Sequence, residues 1–166
     1  MKRIITILLL TTLFQMQSQI NIGVYADAKL LFIGDDYGND AGTIDVVILT
    51  KLYNGGYGGW SRNILVYPVF EYAKLSGGKY MRYAMGVGYK FGNKLNIEPS
   101  IDYGRVVRWG WAYSSFNGLL SISYGVSDKI QISALNSLTQ RNDLKFRWGD
   151  EVWRYNFYFG LTYNVH

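Results

Sequence analysis

From Ile20 almost to the last residue, large apolar side chains recur at every second position, and this alternation narrows the possible folds more than any other feature of the chain. The stretch KYMRYAMGVGYKFGN, residues 79–93, states the problem. Met81, Tyr83, Met85, Val87, Tyr89 and Phe91 alternate with Arg82, Ala84, Gly86, Gly88 and Lys90. A helix here would carry mid-helix glycines at about 1 kcal/mol each, so the segment reads as a strand. An ordinary half-buried strand places Lys, Glu and Thr on its wet face. Here the second face is mostly small, with isolated charges.

Eight such strands can be counted. The first sets Ile20, Ile22, Val24, Ala26, Ala28, Leu30 and Phe32 against Asn21, Gly23, Tyr25, Asp27 and Lys29. The second sets Ile44, Val46, Ile48 and Leu52 against Asp45 and Lys51, and the third Ile64, Val66, Phe70 and Tyr72 against Tyr67 and Glu71. After the quoted fourth, the fifth opposes Leu95, Ile97, Ile101 and Tyr103 to Asn96, Glu98, Ser100 and Asp102. The sixth opposes Phe116, Leu120, Ile122, Tyr124 and Val126 to Asn117, Ser121 and Ser123. The seventh opposes Ile130, Ile132, Ala134 and Leu138 to Gln131, Ser133 and Ser137. The eighth is the cleanest, with Trp153, Tyr155, Phe157, Phe159, Leu161, Tyr163 and Val165 against Arg154, Asn156, Tyr158, Gly160, Thr162 and Asn164.

The connections are unequal. Gly34–Gly42, Arg105–Ser114 and Thr139–Glu151 read as long loops on one rim. Gly92–Lys94 and Ser127–Lys129 read as tight turns on the other, where Asn54–Gly59 adds a glycine turn; Ser76–Gly78 is a short loop on the long side.

The remaining composition bounds the compartment. The first residues, MKRIITILLLTTLFQMQSQ, have a basic start at Lys2 and Arg3, then an apolar run from Ile4 to Phe14, and residues 1–18 are expected to be a secretory signal peptide. That run is shorter than the roughly 20 residues of a spanning helix. Residues 19–166 then form one domain. Without the leader, 17 basic residues become 15 against 12 acidic ones, a balance of +3 that carries no nucleic-acid footprint. No cysteine is present, which excludes a disulfide framework and a thiol nucleophile.

Strands of about 10 residues with one large apolar face and one small face suit a closed barrel in a lipid bilayer. Closure satisfies every backbone donor and acceptor internally, and at eight strands side chains just fill the interior. The fold expected is therefore all-β, an eight-stranded antiparallel up-and-down transmembrane β-barrel. Its lumen would hold Asp27, Asp45, Glu71, Glu98 and Asp102 against Lys29, Lys51, Arg82, Lys90 and Arg154. Equal numbers of each sign point to an internal ion-pair network, because an unpartnered buried charge is costly.

In strand number, alternation and loop asymmetry, residues 20–166 resemble the small bacterial outer-membrane barrels of the OmpA and OmpX type. The resemblance implies an outer-membrane address, contact with outer-membrane lipid and lipopolysaccharide, and delivery by the outer-membrane assembly machinery. Such barrels commonly end in an aromatic residue; here Tyr163 stands inside the last strand and His166 ends the chain. A secreted calycin-like barrel shares the up-and-down plan but needs its apolar face inward, around a lipid or other apolar ligand. A narrow outer-membrane channel is the further alternative.

No catalytic constellation stands out, and no enzyme, cofactor or metal is expected. The single histidine is the terminal His166, and Glu98 and Asp102 on one strand face lie about 13 Å apart, too far for paired carboxylate chemistry. GDDYGND, residues 34–40, lacks the calcium-loop spacing, and GGYGG lacks the Lys-Ser/Thr of a phosphate loop. The candidate binding residues are Arg105, Arg108, Trp109, Trp111, Arg147 and Trp148 on two predicted surface loops, where Arg beside Trp can grip phosphate or an external ligand. Aromatic girdles and snorkelling arginines use the same residue types.

Overall fold

The computed structural model describes residues 19–35, 38–53, 63–149 and 153–165. The expected signal peptide, the glycine turn 54–59 and His166 lie outside them.

Eight long strands close into an antiparallel barrel in the order β1-β10-β9-β8-β7-β6-β5-β4. They are β1 (Gln19–Asp27), β4 (Asp45–Tyr53), β5 (Ile64–Leu75), β6 (Gly78–Tyr89), β7 (Leu95–Arg108), β8 (Trp111–Gly125), β9 (Ile130–Gln140) and β10 (Trp153–Val165). The short β2 (Gly34–Asp35) and β3 (Asn39–Asp40) form a separate ribbon between β1 and β4. Pairing of β1 with β10, from Ile20↔Val165 to Asp27↔Tyr158, shuts the sheet and leaves no open edge.

The alternation read from the sequence becomes inside and outside. Val24, Met85, Ile101, Tyr103, Ile132, Phe159 and Leu161 are exposed on the outer wall, while Asn21, Lys51, Glu71, Arg82, Glu98, Asp102, Ser123 and Thr162 are buried inside. The calycin-like alternative requires the reverse.

Glycine makes room for aromatic fill at two registered pairs. Tyr25 of β1 faces Gly160, and Tyr67 of β5 faces Gly86. A Cβ on either glycine would overlap the facing tyrosine ring. Both tyrosines are buried, so each ring lies across the bare backbone of its neighbour and fills lumen that a side chain at the glycine would contest.

Three expectations about segments change. The first strand stops at Asp27, whose Oδ1 accepts the Leu30 N–H at 3.0 Å and caps the short helix Ala28–Phe32. Lys29 therefore sits exposed on that helix and not in the lumen. The predicted long loop Arg105–Ser114 is strand almost throughout, paired through Val106↔Tyr113, Val107↔Ala112 and Arg108↔Trp111. Its Val, Trp and Tyr residues are strong strand formers, and Trp109 and Gly110 supply the two positive φ values, 52° and 80°, of a two-residue hairpin turn. Trp109 is held there by its Nε1–H donating to the Gly77 carbonyl at 2.6 Å and by the Arg108 guanidinium 4.4 Å from its ring. The third change is within Thr139–Glu151, where β9 runs on to Gln140 and a helix, Asn142–Trp148, follows.

Candidate functional site

The lumen is filled in layers from one mouth to the other. Nearest the chain termini, Lys51 Nζ lies 2.5 Å from Glu98 Oε2 and donates to Ser121 Oγ at 3.2 Å, and the Tyr53 hydroxyl donates to Glu98 Oε1 at 2.8 Å. These contacts tie β4 to β7 across the interior. Beside them, Tyr25, Thr162, Ser133 and Ser123 form a hydroxyl chain with steps of 2.8, 3.1 and 2.9 Å.

Above this layer lies an apolar one of Val47, Leu49, Tyr67, Val69, Leu119 and Leu135. The alternation predicts a lumen of small and charged residues with Tyr67 among them, and of this plug it singles out Tyr67 alone. The plug arises where VVIL and VYPV are apolar on both faces, so period-two counting assigns only one of them.

Next, Arg82 is buried between Asp102, with which it is ion-paired, and Glu71 at 4.0 Å, and its Nε donates to Ser115 Oγ at 3.2 Å. Asn117 donates to Asp102 Oδ2 at 2.9 Å while accepting from Ser137 and Thr139 at 2.9 and 3.1 Å. The Tyr158 hydroxyl donates to Glu71 Oε1 at 3.3 Å, which ties β10 to β5. Removing one partner of so buried an ion pair costs about 3–5 kcal/mol, because it strands the other charge. The internal cavity bounded by Val47, Val69, Arg82, Asp102, Leu135 and Tyr158 measures about 10 Å³. That is room for about one water molecule.

The far rim is latched by loop residues. Arg141 reaches Asp143 with Nε and Nη2 at 2.8 Å each and lies 4.3 Å from the Tyr80 ring, and Arg108 Nη1 reaches Asp143 at 3.3 Å. Leu30 of the first helix packs with Ala73, Leu75, Tyr80 and Val106 beneath it. Asn39 of the β2–β3 ribbon accepts from the Ser76 N–H and hydroxyl at 2.8 and 3.0 Å, and so fastens the ribbon to the β5–β6 turn.

Of the ten predicted lumen charges, the structure brings together Lys51 with Glu98, and Arg82 with Asp102 and Glu71. Arg154 pairs with Asp35 of the ribbon, a loop carboxylate outside that set. Lys90, half-buried at the terminal mouth, stands 5.1 Å from the Tyr53 ring and makes no ion pair among the described residues. Asp45 is buried, and its Oδ1 has no hydrogen-bond partner among the described residues. Asp27 is spent as a helix cap.

Of the surface candidates, Arg105 and Trp111 are exposed, and Trp109 is exposed while holding the turn. Arg108 points inward and is buried, contrary to the loop assignment, because the alternation Asp102, Gly104, Val106, Arg108 runs on unbroken. That continued count was the available signal for it. Arg147 and Trp148 close the second helix, and their side chains lie outside those described. Asp35, Arg141 and Asp143 sit in connections, where no periodicity marks them.

The latch gives a pH prediction. Burial disfavours the Asp143 carboxylate, but the hydrogen bonds and charge of Arg141, and then those of Arg108, outweigh it and hold its pKa below the ordinary range. The folded value is the lower one, so the latch contributes fully above the unfolded pKa of about 3.9 and is lost as acid titrates through the folded value. Amide exchange in the helix Asn142–Trp148, corrected for intrinsic rates, is expected to stay flat from neutrality to about pH 4 and rise below it. Asp143→Asn should raise it at neutral pH.

No protein-family model matches this sequence, and no curated protein matches it. Solved structures do. The outer membrane protein Ail of Yersinia pestis in a phospholipid bilayer nanodisc is 12% identical, with 90% of this chain and 100% of that chain covered and a TM-score of 0.55. The crystal structure of the same attachment invasion locus protein gives 12% identity, coverage of 89% and 97%, and a TM-score of 0.51. A de novo designed transmembrane β-barrel gives 14%, 89% and 95%, and 0.50. At these identities the likeness is one of fold. The chain has the closed eight-stranded antiparallel fold of small outer-membrane β-barrels.

Proposed function

We propose that this chain is a bacterial outer-membrane protein that acts through its outer wall and latched rim, as a structural or surface-interaction protein with a sealed lumen. The observation that carries the reading is the filled interior: cross-lumen bonds at two levels, an apolar plug between them, and a cavity the size of one water molecule. An ion would have to break the Arg82 and Lys51 pairs to pass. Its partners on this reading are outer-membrane lipid, the assembly machinery during biogenesis, and an external ligand at the rim. No catalytic role is assigned.

Conductance across a planar bilayer tests it. The sealed barrel passes no steady current at moderate voltage. A reproducible single-channel conductance at neutral pH would replace this reading with the narrow-channel one.

A further inference from the structure

The outer wall is nearly free of charge. Among the described outward-facing positions of the eight strands, the charged ones are Lys74 on β5, Lys79 on β6 and Arg105 on β7. All three are cationic, exposed, on consecutive strands and towards the latched rim. Lys74 and Lys79 are direct cross-strand partners, and Arg105 pairs with Tyr83, four residues further down β6. Along the strand that offset is about 13 Å, a span that a long lysine and arginine can bridge around one headgroup.

Two lysines directly opposite each other repel, and an opposite charge at either position would remove the cost. Among the described residues none of the three makes a side-chain ion pair or hydrogen bond. Exposed Tyr83 lies opposite Arg105, and a tyrosine ring on a bilayer-facing wall favours the headgroup side of the apolar band. The wall thus presents three unneutralised cations where lipid phosphates lie. The opposite rim differs: Lys94 stands 5.4 Å from the Tyr124 ring, and Asp128 lies next to Lys129 in sequence.

We infer that Lys74, Lys79 and Arg105 form a binding site for a phosphorylated lipid headgroup, with the phosphate seated between the two lysines and Arg105 closing it from below. This rests on the barrel lying in a membrane, as proposed above. The ligand is a lipid and not free phosphate, because the site is on the bilayer-facing wall and its lower edge is aromatic.

The test uses the full mature chain folded into neutral phosphatidylcholine bilayers, with increasing fractions of lipid A, and native mass spectrometry of retained lipid beside the unfolding midpoint. The wild type should retain lipid A and gain stability from it, while inorganic phosphate at equal concentration does neither. Lys74→Gln with Lys79→Gln should weaken lipid A retention about 30-fold, or roughly fivefold per lysine. The control pair Lys94→Gln with Lys129→Gln should leave it unchanged. Lys79→Glu should raise the midpoint in neutral bilayers and abolish the gain from lipid A, which keeps the test valid if the double variant folds poorly. Equal retention by wild type and Lys79→Glu, or an equal loss in the control pair, would overturn the site while leaving the membrane barrel intact. A chain that never inserted would overturn both.

Discussion

Replacing Gly86 with lysine is expected to leave no folded barrel. Gly86 faces the lumen opposite Tyr67, and even a methyl group at this position would overlap that ring. Tyr67 is 1% exposed and packed in the apolar plug, so it has nowhere to turn. Overpacking of this kind costs about 1–3 kcal/mol, which is the effect expected of Gly86→Ala. Lysine adds a cation on the face that already carries Arg82, with no spare carboxylate beside it, at a further several kcal/mol. Against a total stability of about 5–15 kcal/mol, the sum removes most or all of the folded population. Denaturant titration in detergent micelles measures both variants. A Gly86→Lys chain as stable as wild type would mean that this face does not point inward.

Met85→Lys, one residue earlier, should fail for the opposite reason. Met85 is 58% exposed on the outer wall, with Pro68 and Tyr103 as its cross-strand neighbours. In water such a substitution would be neutral or helpful. Near the bilayer midplane a lysine on the lipid face costs about 2–4 kcal/mol. The folding free energy should therefore fall by that amount in bilayers. Adjacent residues giving a packing defect and an insertion defect would separate lumen from lipid at a resolution of one position.

Much of this fold was legible because a barrel wall imposes two unlike environments on every strand. Parity alone assigned Arg82, Glu98 and Asp102 inward, and Met85, Ile101 and Tyr155 outward. Parity fails where a residue suits both sides. Val47, Leu49 and Val69 fill the lumen with the same kind of aliphatic side chain that Val46, Ile48 and Val66 carry on the outer wall, so that part of the plug has no signature. It also fails where the chain leaves the wall: Asp27 ends β1 by capping a helix, which carried Lys29 out of the interior. The rim was misread for a third reason. Arg and Trp together suggested a binding loop, yet in RVVRWGWAY the valines and aromatics prolong two paired strands, and Arg108 serves Asp143 inside. Asp35 meets Arg154, and Asp143 meets Arg108, through tertiary structure alone, from strand ends far away in sequence; the other partner of Asp143, Arg141, is two residues away but in a connection without periodicity.

Cell fractionation followed by electrophoresis of boiled and unboiled samples decides whether the closed barrel stands in a membrane. The expected result is an outer-membrane band whose unboiled form migrates differently from the boiled one, because a closed barrel with a braced lumen resists detergent until heated. A soluble protein that needs no detergent and shows no shift on boiling would contradict it, since a wall carrying Met85, Ile101, Phe159 and Leu161 outward is incompatible with water on that side.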